Sequence, residues 1–500
     1  MSTLPAHWTP ARPDTGALGR RLPAIAFAAL CIGAFAAWLA VPTYPAYDSL
    51  YSLVWAREIL DGALPTFDAY RAPTQHPLLL PVSLVLAPLG DAGGRLFVLL
   101  CIAALLALVA AAWRLGRLAA GPLGALAAAG LVGSRLDIPL LAALGYLDIP
   151  YCALVVWAVV LEAERPRRGR PVWVLLALAG LLRPEAWLLA GAYGVWMGWG
   201  RRDPGGSPWI TLWLRVRALL PAAVAPLLWA LTDVVVTGDP LFSLRHTDAL
   251  AAELHREVPL THLPWQLVTL LVALVKPPVL FAGFAGACLA VLFRRRALAV
   301  PSAVAVLTCF TYLIIASGGL ATVYRYLLLT ALGVSLLASF ALAGWTLLPR
   351  GDRWRVRWAA LAGVACLLGA AWTFAHLSFA GIRNDLRERR AVRTDLHAVL
   401  SAPAVAAARR CGPITVPNHK LIPEVRWALD LPEGAVRARS DRSQPPQRAG
   451  VALVIATAVE ERPALNVYEV PTDGTGILAA PPGFQRLAAN RRFAAWGGCP

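Results

Sequence analysis

Four polar islands in an otherwise apolar sequence carry residue types able to do chemistry. The first holds Asp48, in YPAYDSLYSLVWAREILDG, with a His76-Pro77 step further along the same stretch. An aspartate there can take a proton from a nucleophile, or it can cap the helix it opens by accepting from free backbone N–H groups. The second is Asp148, in Gly145-Tyr146-Leu147-Asp148-Ile149-Pro150. A carboxylate in so tight an apolar turn is costly unless it is paired, hydrated or metal-bound, which suggests function, with a helix cap as the plain alternative. The third is Arg183-Pro184-Glu185, which interrupts an apolar run, and the fourth is Arg325, in TVYRYLLLTA. Guanidinium suits bidentate contact with phosphate oxygens; a snorkelling membrane anchor is the other reading of Arg325.

A further polar stretch, GDPLFSLRHTDALAAELHRE, places Arg245, His246, Asp248, His255 and Arg256 on a helical face. Most of that face is solvated. One of its cations, Arg245 among them, or Lys276 just beyond it, is available to a lipid phosphate. Asp137 lies close enough in sequence to pair with Arg135.

These islands need elements to position them, and composition says what kind. The 500 residues are 58% hydrophobic and 15% charged, with mean hydropathy +0.60. Soluble chains carry charge at about 25%, so a water-soluble protein is excluded and a polytopic membrane protein indicated. The net charge of +17 fits cytoplasmic loops better than nucleic-acid binding. Only Lys276 and Lys420 are lysines, and with the Ala, Gly and Pro bias this points to a high-G+C bacterial genome.

A crossing helix needs about 20 apolar residues, and about eleven candidate segments emerge. The first runs from Leu22 to Pro42 as a retained anchor, behind Arg20-Arg21. The others are Gly93 to Trp113, Gly121 to Leu144, Ile149 to Leu161, Val172 to Leu182, Ala186 to Trp199, Ala218 to Val236, Val279 to Phe293, Ala297 to Ala316, Tyr326 to Leu348 and Trp358 to Phe379. Alternating their sides puts Arg114/Arg117, the 165–170 arginines, Arg201/Arg202/Arg215/Arg217, Arg294–Arg296 and the 350–357 arginines on the side of Arg20/Arg21. Positive loops stay in the cytoplasm, so the N-terminus is expected there. Val172 to Leu182 spans only about 16 Å of helix before the Arg183-Pro184 break, too short to reach the far surface, so the break predicts paired half-length helices. Broken backbone at that depth needs cover from protein or a wet cavity, which Arg183 and Glu185 would face.

Two long outer loops result, 43–91 and 237–278. In the first, Tyr51, Trp55 and Ile59 recur every fourth residue, which predicts an amphipathic helix lying at the membrane surface and closing at Asp61-Gly62. The Pro-bounded run His76 to Leu89 is expected to lie against the interface as well. The chain divides into a membrane part, 1–380, and a small soluble α/β part outside, 381–500. The latter has short strands at Ile414 to Val416, Val451 to Ala456 and Leu465 to Val470 around a helix near Leu421 to Leu431. Cys411 and Cys499 bracket it and are candidates for a disulfide in an oxidising exterior; two free thiols are the alternative.

Taken in order, the anchor, the loop opening with Asp48, the His76-Pro77 element, the Asp148 turn, the Arg183-Pro184 break and Arg325 in its Tyr-Arg-Tyr-Leu run resemble the C-type (GT-C) integral-membrane glycosyltransferases. These include protein O-mannosyltransferases, the lipid A aminoarabinose transferase and actinobacterial arabinosyltransferases. The resemblance covers roughly the first 380 residues and implies an inverting transfer from a polyprenyl-phosphate sugar on the outer face of a bacterial cytoplasmic membrane. It implies Asp48 as general base and Arg325, then Arg183, as the cations that bind the donor phosphate. It further implies that Asp148 and His76 support the acceptor, or hold a divalent metal ion. Asp48 is followed by Ser49 where some members carry paired acidic residues, which leaves the sugar open. The acceptor, whether glycan, lipid or protein, is open too. A lipid or glycan flippase, or a non-catalytic scaffold with a glycan-binding tail, would share several of these features.

Overall fold

The computed structural model describes residues 17–135, 137–253, 259–319, 323–376, 379–456 and 479–499; His255, Arg256 and the strand expected at Leu465 to Val470 lie outside them. The described chain is mostly helical. Six helices are long and apolar enough to cross a membrane, and up to eight spans result if each of two bent helix pairs counts as one. One pair, Asp137–Ala143 and Asp148–Glu164, bends by 117°; the other, Leu260–Val275 and Pro277–Leu292, bends by 103°. These apolar helices make a multi-pass membrane protein.

The long helical stretch Asp91–Gly133 doubles back at Ala120-Gly121. Gly121 sits at φ 70, ψ −157, a conformation open to glycine alone, and Pro122 then starts the second arm. The two arms pack so closely that a Cβ on Gly116 would stand 2.3 Å from the Gly124 carbonyl oxygen. The second arm ends at Gly133 rather than continuing to Leu144 as the apolar run suggests, and Asp137–Ala143 forms a separate short helix. That bend brings the Gly145-to-Asp148 turn into the protein interior. The half-length pair is present as expected: Arg170–Leu182 stops at Arg183, in extended backbone, and Glu185–Gly198 begins after Pro184.

The helix expected at the membrane surface corrects the sequence reading. It runs Tyr47–Leu60, and Leu50, Tyr51, Leu53, Val54, Trp55 and Ala56 are all buried. Leu50, Leu53 and Val54 join the core of the membrane helices, whereas Tyr51 and Trp55, with Phe67, join the core of the C-terminal unit. The aromatic stripe meets protein instead of lipid headgroups, so this is a bracing helix clamped between two bodies. Charged contacts reinforce it. Arg57 stacks 3.4 Å above the Trp427 ring, and the buried Arg426 guanidinium pairs with Glu58. Removing one member of a buried ion pair leaves the other without compensation. Arg426→Ala is expected to cost about 2 kcal/mol, less than a bare buried charge because Glu58 keeps its bonds to Thr66. A lower thermal midpoint of the purified full chain is the readout.

The C-terminal unit follows the helix Phe379–Leu400 and contains a five-stranded sheet. Its strands are β1 (Ile414–Val416), β2 (Val436–Ala438), β3 (Gly450–Ile455), β4 (Gln485–Ala489) and β5 (Phe493–Gly498), ordered β2-β1-β3-β5-β4. β1 runs parallel to β2 and β3, while β5 is antiparallel to β3 and β4. Helix Ile422–Leu429 falls where the sequence places it. Cys411 and Cys499 are joined in a disulfide.

Candidate active site

The bracing helix carries Asp48 to the Asp148 turn through two backbone anchors. Ala46 N–H donates to the Leu144 carbonyl at 2.8 Å, and Ser49 Oγ donates to the Gly145 carbonyl at 2.6 Å. Gly145, at φ 67, passes so close to Pro45 that a Cβ would lie 3.3 Å from its Cα. Asp148 is then the first residue of the helix Asp148–Glu164, where the free N–H groups favour a negative charge. Its side chain is 1% exposed.

Both Asp148 oxygens meet guanidinium groups. Arg183 Nη1 donates to Oδ1, and Arg325 Nη1 donates to Oδ2 at 2.9 Å. Arg183 comes from the gap between the half-length helices, where Pro184 breaks the backbone, and its Nε also reaches Glu185 at 3.2 Å. Its guanidinium lies 4.8 Å from the Tyr326 ring centre. Arg325 sits in the 3₁₀ turn Tyr324–Leu327, 4.7 Å above Tyr146. Tyr146 and Tyr326 were not assigned a role from sequence, although Tyr326 directly follows Arg325 and Tyr146 stands two residues before Asp148. The cationic face beside an aromatic ring is a stable arrangement away from water.

Asp48 lies within electrostatic reach of this cluster. It lies in the first turn of its helix but caps nothing, and among the described residues its half-buried carboxylate makes no hydrogen bond or ion pair. It interacts electrostatically with Arg325, Tyr146 and His76. His76 lies edge-on to Trp229 with Nδ1 buried and unpartnered. Burial pushes its imidazole down to about 4, against the pull of Asp48, so it is neutral at pH 7. The preceding residues are laced to the helix Val224–Thr237 by Gln75 to Asp233 at 3.1 Å, and to the second loop by Thr74 to Thr247 at 2.6 Å and His246 to the Ala72 carbonyl at 2.8 Å.

The structure therefore gathers Asp48, Asp148, Arg183, Arg325 and His76, and leaves Arg245 outside. Arg245 is exposed and paired with Asp239 at 2.7 Å. Lys276 lies at the 103° bend, donating to the Ala273 carbonyl. Asp137 pairs with Arg135 at 3.3 Å. The residues do not fit a resident divalent ion: both Asp148 oxygens already face cations, and no three His, Cys, Asp or Glu side chains gather among the described residues. A cavity of about 310 Å³ is almost wholly apolar, its lining including Leu78, Val82, Cys101, Leu147, Pro150 and Leu182. It begins one residue from Asp148 and one from Arg183.

No family model and no curated protein matches the sequence. Two solved structures do match the fold. ArnT from Cupriavidus metallidurans bound to undecaprenyl phosphate superimposes with a TM-score of 0.53 at 15% identity, over 96% of this chain and 98% of that one. The apo form of the same protein gives 0.52 at 15% identity, over 95% and 98%. The chain has the same fold as ArnT. The likeness spans nearly the full length, so the shared fold takes in the C-terminal sheet as well as the membrane helices.

Proposed function

We propose that this protein is an inverting glycosyltransferase that moves a sugar from a polyprenyl-phosphate donor to a cell-envelope acceptor on the outer face of a bacterial cytoplasmic membrane. The observation that carries the reading is the cluster itself. Two guanidinium groups are held on one buried carboxylate, Leu147 and Leu182 beside that cluster in the chain line an apolar cavity, and a second carboxylate within electrostatic reach of Arg325 is left unpaired. A polyprenyl phosphate has the matching chemistry: an apolar chain suits the apolar cavity and a phosphate suits the arginines.

The chemistry balances on these residues. An acceptor hydroxyl attacks the anomeric carbon, Asp48 takes its proton, a C–O bond forms, and the bond from that carbon to the phosphate oxygen breaks. The departing polyprenyl phosphate gains negative charge as it leaves, and Arg325 and Arg183 offset that charge with N–H groups that Asp148 and Glu185 leave spare. Phosphate is a good leaving group and needs no strong acid.

The test is transfer of radiolabel from undecaprenyl-phosphate hexoses and pentoses to envelope acceptors by the reconstituted protein. Arg325→Gln removes a cation fixed on the leaving group, and kcat is expected to fall by about 10²–10³. Movement of lipid across the bilayer with no new glycosidic bond would overturn the reading in favour of a transporter.

A further inference from the structure

An in-line displacement brings the acceptor to the anomeric carbon from the side opposite the departing phosphate. That phosphate is assigned to Arg183, Arg325 and the apolar cavity, so the acceptor must arrive past Asp48 from the far side. At about 100° per residue, Asp48 projects from the bracing helix between the arc of Tyr51 and Trp55, which enters the C-terminal core, and that of Ser49, which bonds to Gly145. Asp48 therefore lies at the seam of the two bodies.

One helical position before it, Tyr47 is covered by residues of the C-terminal unit. Lys420 Nζ stands 4.6 Å above the Tyr47 ring, and the His419 ring meets it edge-on at 5.7 Å. Tyr70 meets His419 at 6.4 Å and donates to the Ser440 carbonyl at 3.0 Å. The Tyr47 hydroxyl donates to the Arg71 carbonyl at 2.9 Å. Arg71 itself has φ 52, strained for a non-glycine residue, and is fixed by Glu253 at 2.8 Å. Such strain persists only where the surroundings over-determine it, and it gathers at ligand clamps.

The groups that meet the Tyr47 ring here are an imidazole, which is buried, and an ammonium group, which is half-buried. Rings with polar edges beside an ammonium group suit a ligand that presents both C–H faces and hydroxyls, and suit an acyl chain poorly. We propose that Lys420 and His419, supplied by the C-terminal unit, bind the acceptor, and that the acceptor is a carbohydrate offering a ring hydroxyl to Asp48. This rests on the glycosyltransferase reading above.

The probes are octyl glycosides of hexoses and pentoses as acceptors, and a short Ser/Thr peptide as the competing class, used with the full chain and a saturating undecaprenyl-phosphate sugar. Lys420→Ala is expected to raise the acceptor KM by about tenfold or more, leaving the donor KM within about twofold, with Lys420→Arg restoring most of the loss. An unchanged acceptor KM in Lys420→Ala overturns the assignment of Lys420. Transfer to the peptide and to no glycoside overturns the carbohydrate. If the wild type transfers to neither and does not bind undecaprenyl phosphate, the glycosyltransferase reading fails and takes this one with it. Retained donor binding and transfer beside an unchanged acceptor KM sinks the acceptor proposal alone.

Discussion

Asp48→Asn should abolish sugar transfer in practice, lowering kcat/KM by about 10²–10⁴, because the amide keeps the shape of the side chain and cannot take the acceptor proton. The structure makes this substitution clean. The Asp48 carboxylate caps no backbone N–H and makes no ion pair among the described residues, and the amide has nearly the same shape. The variant should insert, purify and melt like the wild type, and it should still bind undecaprenyl phosphate, whose proposed cations are held by Asp148. Transfer at the wild-type rate would remove Asp48 from the chemistry, whereas a fallen melting point would point to a structural role.

Asp148→Ala tests the opposite kind of residue. Its two oxygens stand between Arg183 and Arg325, whose side chains are only 12% and 22% exposed. Deleting the carboxylate leaves two poorly hydrated cations facing each other, with Glu185 as the remaining counter-charge for Arg183. Breaking such a cluster costs about 3–5 kcal/mol. The full chain should melt markedly lower, and donor turnover should collapse with it. One further outcome separates this from simple misfolding: undecaprenyl phosphate should raise the melting point of Asp148→Ala more than that of the wild type. The phosphate supplies the missing charge, and a ligand that binds only the folded state stabilises it in proportion to its occupancy. Equal shifts in the two proteins would separate the arginine pair from the donor phosphate.

Much of this site was legible because charge inside an apolar run stands out. Asp148 in its turn, Arg183 before Pro184 and Arg325 between tyrosines each interrupt a hydrophobic stretch, and lipid penalises such groups unless they have partners. The partnership itself was not legible. Asp148 is 35 residues from Arg183 and 177 from Arg325, and nothing in spacing joins them. Metal support from Asp148 and His76 was a reasonable expectation for a carboxylate and an imidazole, and it gives way once both oxygens are seen to face cations. Arg245 illustrates the converse: on a polar helix its charge was unremarkable, and it is spent on Asp239.

The bracing helix shows where periodicity misled. Tyr51, Trp55 and Ile59 gave a convincing single stripe, but Leu50, Leu53 and Val54 occupy the other side, and a helix with apolar residues on two opposite sides buries both. The strands β2, β4 and β5 escaped notice for another reason. Their sequences, VRA, QRLAA and FAAWGG, are poor in the branched residues that mark strands, and they are held by their neighbours in the sheet.

The clasp between Glu58 and Arg426 makes the order of folding matter. Residues 47–60 precede most of the membrane helices in sequence, yet part of what encloses them lies between Val392 and Ala495, more than 300 residues on, in a unit closed by Cys411 and Cys499. The face of the bracing helix that carries Tyr51 and Trp55 therefore stays uncovered until that distant unit has folded against it.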